Sequence, residues 1–557
     1  MHFNRLRVSL VVALATSAGD FARAQNTLHE VCGAPPSYVP DELLKRTLPI
    51  RPGVGNSHET VTTKSPEAQA FYNQGLNYLE SYVWIEASRS FQQALRLDPT
   101  LAMAYLGLSY VSSGLDHADG ATQYFAKAKA LAAGLSDRER SRIDIREKHL
   151  AALADLKDQA PFLAYKRAIE DALATHLEDP VFWILRANAE EANASGRGQR
   201  GGASSVAFYQ AVLAIMPDHA TAHHSLVHSY ETIGRIEKAL EHGEAYARLA
   251  PSIPHAAHMW GHDLRRVGKV DEAIVQFKKA DQLEREYYAD EKLDPALDWH
   301  HAHNLDLLAS CYQHKGQLEF AEATLRKSEA LTVLSAFRAF NQRELANFLI
   351  QRNRYDEALV AALALSKSQF VQGRCVGHAL AGQALVALGR TAEAKAQLAA
   401  ARNQLESVPV IANGLDPTRS MVKPWVDALG GELLLRAGKK EDGRKMLKDV
   451  IKALRAAVGP DAWSQGLFRL EAMARNAVEA KDWEFADYVA NQMLEHDAAY
   501  GGSRYSMALV LRHQGDSAGA WRELQLAKHY WEDADPDLPE LKAMDALAVR
   551  LGTGKQK

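Results

Sequence analysis

Between Ser65 and Thr100 the bulky and the small residues fall at fixed offsets. Phe71, Tyr78 and Phe91 supply bulk, while Gly75, Ala87 and Ala94 supply close approach. Counted within a 34-residue unit, the aromatics are at positions 4, 11 and 24, and the small residues at 8, 20 and 27. Spacings of three and four predict two amphipathic helices, and the small positions let them pack closely as an antiparallel pair. Pro99, at position 32, stops the second helix and starts the next unit. The offsets recur at Tyr105, Ala121, Phe125 and Ala128, and at Gly261, Leu264, Ala273, Phe277 and Ala280. They recur again at Gly382, Leu385, Gly389, Ala394 and Ala401, at Gly431, Gly438 and Leu447, and at Gly515, Ala520, Leu524 and Ala527. Weaker copies lie around Ala358 and Ala486. The pattern predicts roughly nine to eleven helical hairpins. Ser136 and Glu139 fit a capping box at one helix start. Strand-like alternation is nowhere sustained, so the chain is expected to be all-α.

This unit resembles the tetratricopeptide repeat (TPR), over about residues 65–557. The resemblance implies a right-handed superhelical solenoid of stacked antiparallel helix pairs. Each hairpin would complete its core only against its neighbours. Two stretches depart from the array. Residues 25–64 carry proline and glycine breaks and read as an extended N-terminal arm, and residues 194–204 read as a flexible loop. The expected organisation is N-terminal repeats over 65–193, histidine-rich middle repeats over 205–333 and C-terminal repeats over 334–557.

Charge and targeting narrow the setting. The net charge of −4 and the lack of a basic block argue against a nucleic-acid partner. No apolar run reaches the roughly 18–20 residues of a membrane span. Residues 1–24 read as a secretory signal: Arg5 and Arg7 precede an apolar Val8–Ala15, and Ala22-Arg23-Ala24 is an A-x-A site. Export to the periplasm or beyond is the expectation. Three cysteines, Cys32, Cys311 and Cys375, allow at most one internal disulfide and do not make a stapled fold.

The candidate chemistry lies in histidines. His224-Ser-Leu-Val-His228 and His258-Met-Trp-Gly-His262 are i, i+4 pairs set 34 residues apart, one repeat period. Numbered from Ala220 and Pro254, both pairs occupy positions 5 and 9, with Glu231 at position 12 and His255 at position 2. A third unit from Ala302 places His303 at position 2 and Asp306 at position 5, just after His300 and His301. On a helix, i and i+4 share a face, and adjacent helices lie about 8–10 Å apart, so these imidazoles can converge. By resemblance, positions 2, 5, 9 and 12 face the concave groove of the repeat superhelix. The histidine strings also resemble those of a group of exported or uncharacterised bacterial TPR proteins, whose members tend to carry histidine where this chain has Asp306.

Converging imidazoles suit zinc, copper, nickel or iron, and do not suit calcium or magnesium. The expected ligands are drawn from His224, His228, His258, His262 and His303, with Asp306 a further candidate. Glu231 would orient a ligand or accept a proton. HExxH is absent, which disfavours a zincin-type protease. Three readings stand at this stage. One is an exported repeat protein holding a transition metal and binding a peptide or small ligand in its groove. The second is a metal-dependent hydrolase or oxidase using Glu231 or Asp306 as the proton acceptor. The third is a metal-free interaction scaffold of the cell envelope.

Overall fold

A computed structural model of the chain describes residues 39–155, 158–190, 202–408, 417–456 and 460–553. The expected signal segment, Cys32 and most of the loop at 194–204 lie outside the described residues. Those described form helices and no strand. Consecutive helices pair as antiparallel hairpins, beginning with Pro66–Glu80 against Trp84–Leu97 and Ala102–Gly114 against Ala118–Ala130.

The small residues do what their spacing predicts. A Cβ added to Gly75 would lie 2.6 Å from the Phe91 ring, and one added to Gly261 would lie 2.9 Å from the Phe277 ring. Both glycines precede their aromatic partner by sixteen residues. Phe91 also meets Gly107 of the next hairpin, so one ring locks two units together. The hairpin turns pass through a single left-handed residue. Gly234, Gly268 and Gly316 take it at φ +72°, +83° and +72°. In the first hairpin a tyrosine, Tyr82, holds that conformation at φ +61°. The capping box expected at Ser136 forms in full, with Glu139 returning to the Ser136 backbone.

The array also returns on itself. The Gly53 carbonyl accepts from the Ser252 amide at 2.9 Å, and Asn56 Oδ1 accepts from the Ala220 amide at 3.1 Å. The described part of the N-terminal arm packs mainly on the first hairpin, through contacts such as Gln74 to the Pro49 carbonyl and Tyr72 to Glu59, and reaches the middle repeats at Gly53 and Asn56. Arg89 of the first hairpin donates to Glu291 at 2.7 Å, at the end of the long helix Val270–Glu291. From the other side, Asp497 receives Arg265 at 3.1 Å and pairs with His314 at 3.1 Å. Trp531 donates to the His314 carbonyl at 3.0 Å. The break between the helices Trp483–His496 and Gly501–Gln514 is thus a point where the C-terminal repeats grip the middle ones. Burial pushes the Cys311 thiol up to about 12 and the Cys375 thiol up to about 11, and neither cysteine is in a disulfide. No described helix is long and apolar enough to cross a membrane.

Candidate metal centre

Three first helices of successive hairpins carry the histidines: Ala220–Thr232, Pro254–Arg266 and His300–His314. Proline at the first position starts the second of these, and Asp298 Oδ1 accepts from the His300 amide at 3.0 Å at the start of the third. Packed side by side, they bring seven imidazoles into one continuous cluster.

His224, His228 and His255 form the first triad. Nε2 of His224 lies 3.0 Å from Nε2 of His228 and 3.0 Å from Nε2 of His255. His258, His262 and His303 form a second triad, whose ligand atoms all lie within 4.8 Å of one another. His300 stands between the two, with ring centroids 5.1 Å from His255 and 4.4 Å from His258.

The far nitrogens are tied down. His224 Nδ1–H donates to the Glu80 carbonyl at 2.7 Å, which fixes the ring with Nε2 inside the triad. His258 Nδ1–H donates to Asn304 Oδ1 at 2.9 Å, and Asn304 is oriented by its own donation to the Phe277 carbonyl at 2.9 Å. His300 Nδ1 is held by the Glu284 carboxylate. Nε2 of His258 and of His300 have no hydrogen-bond partner. Burial, and then the neighbouring imidazoles, hold His255, His258 and His300 well below the usual histidine range, which favours their neutral forms.

The surroundings are aromatic. Tyr82 meets His224, His228 and His255, with centroids 4.9, 5.9 and 5.7 Å away. Tyr246 stacks on His224 at 4.7 Å, and Phe277 meets His258 at 5.4 Å. Trp299 meets His255 at 5.5 Å and donates to the Tyr82 carbonyl at 3.3 Å.

Three expectations change here. The histidines do not face an open groove: His224, His258 and His303 are at most 1% exposed. The end of the first hairpin, Glu80 to Trp84, and Trp299 cover them. They also gather as two triads, where the sequence suggested a single point. Asp306 belongs to neither triad. It accepts from Ser328 at 2.6 Å and pairs with Arg338 at 3.4 Å, so it is engaged in a structural contact. The five expected histidines are all in the cluster, and Glu231 lies beside it, 1% exposed, 3.6 Å from His262 Nδ1 and 3.8 Å from His228 Nδ1.

Two members were absent from the expected ligand set. His255 occupies position 2, as His303 does, and that shared register was the available signal. His300 enters because its helix starts two residues ahead of the repeat frame at Ala302.

No family model matches the chain, and no curated relative matches it. Among solved structures it is similar to yeast Tom70 at 12% identity, covering 76% of this chain and 93% of that one with a TM-score of 0.36. It is similar to human IFIT1, solved as a dimer with m7Gppp-AAAA, at 14% identity, covering 84% and 91% with a TM-score of 0.33. It is also similar to a chain of the APC/C hetero-tetramer Cut9-Hcn1 at 12% identity, covering 88% and 78% with a TM-score of 0.33. The fold assignment rests on the hairpins themselves: stacked antiparallel helix pairs, glycine set against an aromatic sixteen residues on, and left-handed turns make this an all-α, tetratricopeptide-type solenoid.

Proposed function

We propose that the middle repeats hold two transition-metal ions in adjacent histidine sites, and that the protein is an exported metal-binding repeat protein. The observation that carries this reading is the first triad. Three imidazole Nε2 atoms meet with centre-to-centre spacings of 3.0 Å along two edges, while the far nitrogen of His224 is fixed on a carbonyl. Tetrahedral zinc, with Zn–N near 2.0–2.1 Å, sets its ligand nitrogens about 3.3 Å apart. The triad is therefore close to ligand geometry before any ion enters. Without one, these nitrogens can only hydrogen-bond to one another inside a buried enclosure, with their protons set by the tautomers of the rings.

The donor set is all imidazole, which favours zinc, copper, nickel or iron. Hydrogen bonds that tie the outer nitrogen of a ligand are the usual support for metal-bound histidine. Three acidic side chains, Glu231, Asp263 and Glu284, are buried in these repeats. Burial pushes the Asp263 and Glu284 carboxyls well above their usual range, and a bound cation would favour their ionised forms. Three protein ligands per site leave a coordination position open, the pattern of catalytic centres as opposed to closed structural ones. An enzymatic role would use Glu231 as the proton acceptor, because its carboxylate has no hydrogen-bond partner and faces both triads. The concave groove would serve a protein or peptide partner.

The test is metal content. Protein purified without an affinity tag and incubated with zinc, copper, nickel or iron should retain about two ions per chain. Retention of less than about 0.2 ion per chain with every metal would overturn the reading.

A further inference from the structure

A cavity of about 120 Å³ lies between the first hairpin and the helices Asp137–Ala154, Gln159–Thr175 and Pro180–Ala189. An enclosed apolar space of roughly 150 Å³ accepts a benzene-sized guest, so this one matches a single ring or a short branched chain. Leu76, Leu79, Val181, Ile184 and Leu185 supply an apolar wall, with Tyr165 beside them.

Two polar groups of the lining stand out. Arg142 is 5% exposed and pairs with Glu59 through Nη1, yet its Nε has no hydrogen-bond partner. The Tyr110 hydroxyl is also buried without a partner. Tyr110 and Arg142 line the same cavity. The neighbouring Arg146 is occupied differently: it donates to Ser109 and Ser113, contacts His149, and lies 4.1 Å from the centre of the Tyr110 ring. Two unused donors, Nε–H and Oη–H, therefore border one apolar space. An acceptor on a ligand would satisfy both, and an anionic acceptor would do so most strongly.

The remaining wall connects to the histidines. Glu80, Tyr82 and Thr221 line the cavity. Glu80 is the residue whose carbonyl holds His224, and Tyr82 is the ring that meets all three members of the first triad. Tyr82 holds the left-handed turn position of its hairpin, as Asp116, Asn353 and Lys481 do in theirs.

We propose that this cavity binds a small carboxylate with a single-ring or branched apolar body, its head at Arg142 and Tyr110 and its body against Tyr82, one ring away from the first histidine triad. Binding itself does not need the metal, and only the communication with the triad rests on the metal reading.

The experiment is calorimetric titration of the full, metal-free chain with 3-phenylpropanoate and with its amide. One acid should bind per chain, with the amide about tenfold weaker. Ile184→Trp, which fills the cavity, should abolish binding while the helical circular dichroism stays unchanged. Arg142→Gln removes the charged donor but risks the Glu59 pair, so Tyr110→Phe provides the second probe and should weaken the acid about threefold. No binding by the acid, equal binding of acid and amide, or unchanged binding in a folded Ile184→Trp protein would each overturn the cavity proposal. In cobalt-loaded protein the acid should shift the visible spectrum, and an unmoved spectrum would overturn the link to the triad. Failure of the chain to take up cobalt would sink the metal reading alone and leave the calorimetric result standing.

Discussion

Glu231 lies between His228 and His262, with Oε2 3.8 Å from Nδ1 of the first and Oε1 3.6 Å from Nδ1 of the second. One buried carboxylate thus faces a member of each triad. It reaches both because position 12 of one repeat stands beside position 9 of its own helix and position 9 of the next. A change at this one residue should be felt at both sites.

Glu231→Gln should weaken metal binding at both sites by about 10- to 100-fold, the usual effect of removing an outer partner of a ligand. Competition titration against a chelator of known affinity would measure it. Unchanged affinity at both sites would remove Glu231 from the centre, and loss at one site only would show that it serves a single triad.

The metal-free protein should lose stability as the pH falls from about 6.5 towards 4. Burial, and then the nearby His223, hold His219 and His242 down to about 4. A folded pKa below the unfolded one means that the unfolded chain binds more protons throughout this window, so stability rises with pH there. Each such histidine contributes a slope approaching 1.4 kcal/mol per pH unit. His255, His258 and His300, also held low, act in the same direction, while the buried Asp263 and Glu284 carboxyls, pushed well above their usual range, act the opposite way. Urea unfolding at pH 7, 6 and 5 would show the decline, and a flat midpoint across that range would contradict it.

Asp497→Asn should loosen the contact between the C-terminal and the middle repeats. Asp497 is buried, and the hydrogen bond from His314 and the Arg265 charge overcome the cost of its burial and hold its carboxyl well below the usual range. Removing one partner of a buried ion pair costs about 3–5 kcal/mol, because the other charge stays buried. Hydrogen exchange should rise in Pro254–Arg266 and His300–His314. Unchanged protection in both helices would show that the contact does not hold the return of the superhelix.

Gly261→Ala should destabilise by about 1–3 kcal/mol, since the added methyl would sit 2.9 Å from the Phe277 ring. Gly134→Ala, where an added Cβ has nothing within 4 Å, is the control and should change stability by less than about 0.5 kcal/mol. Thermal melts of the two variants side by side would decide this, and equal melting points would refute the packing argument.

The hairpins that the sequence makes plain are those built on glycine or alanine against a large side chain, such as Gly75 with Phe91 and Gly261 with Phe277. That pairing is local, sixteen residues apart, so it leaves a periodic trace. The pairs Asp137–Ala154 with Gln159–Thr175, and Pro180–Ala189 with Ala203–Ile215, pack the same way in space without the glycine marks. Asp137–Ala154, Gln159–Thr175 and Pro180–Ala189 form part of the cavity wall, which is why the cavity left no motif. Asp306 misled for a related reason. Its register matches His224 and His258, but register sets only the face of a helix. Arg338 and Ser328 on neighbouring segments then draw its carboxylate away.

From sequence alone came the all-α repeat, the shared phase of the two histidine pairs and five members of the cluster, because helix period and repeat period together determine which side chains share a face. Tertiary structure decided the rest. It buried that face under Glu80, Tyr82 and Trp299, split the histidines into two triads, and added His255 and His300. The cover depends on contacts between residues more than a hundred positions apart, which no local spacing encodes, because it forms only when the first hairpin meets the middle repeats. The two triads depend on how neighbouring repeats pack, which repeat phase alone does not fix.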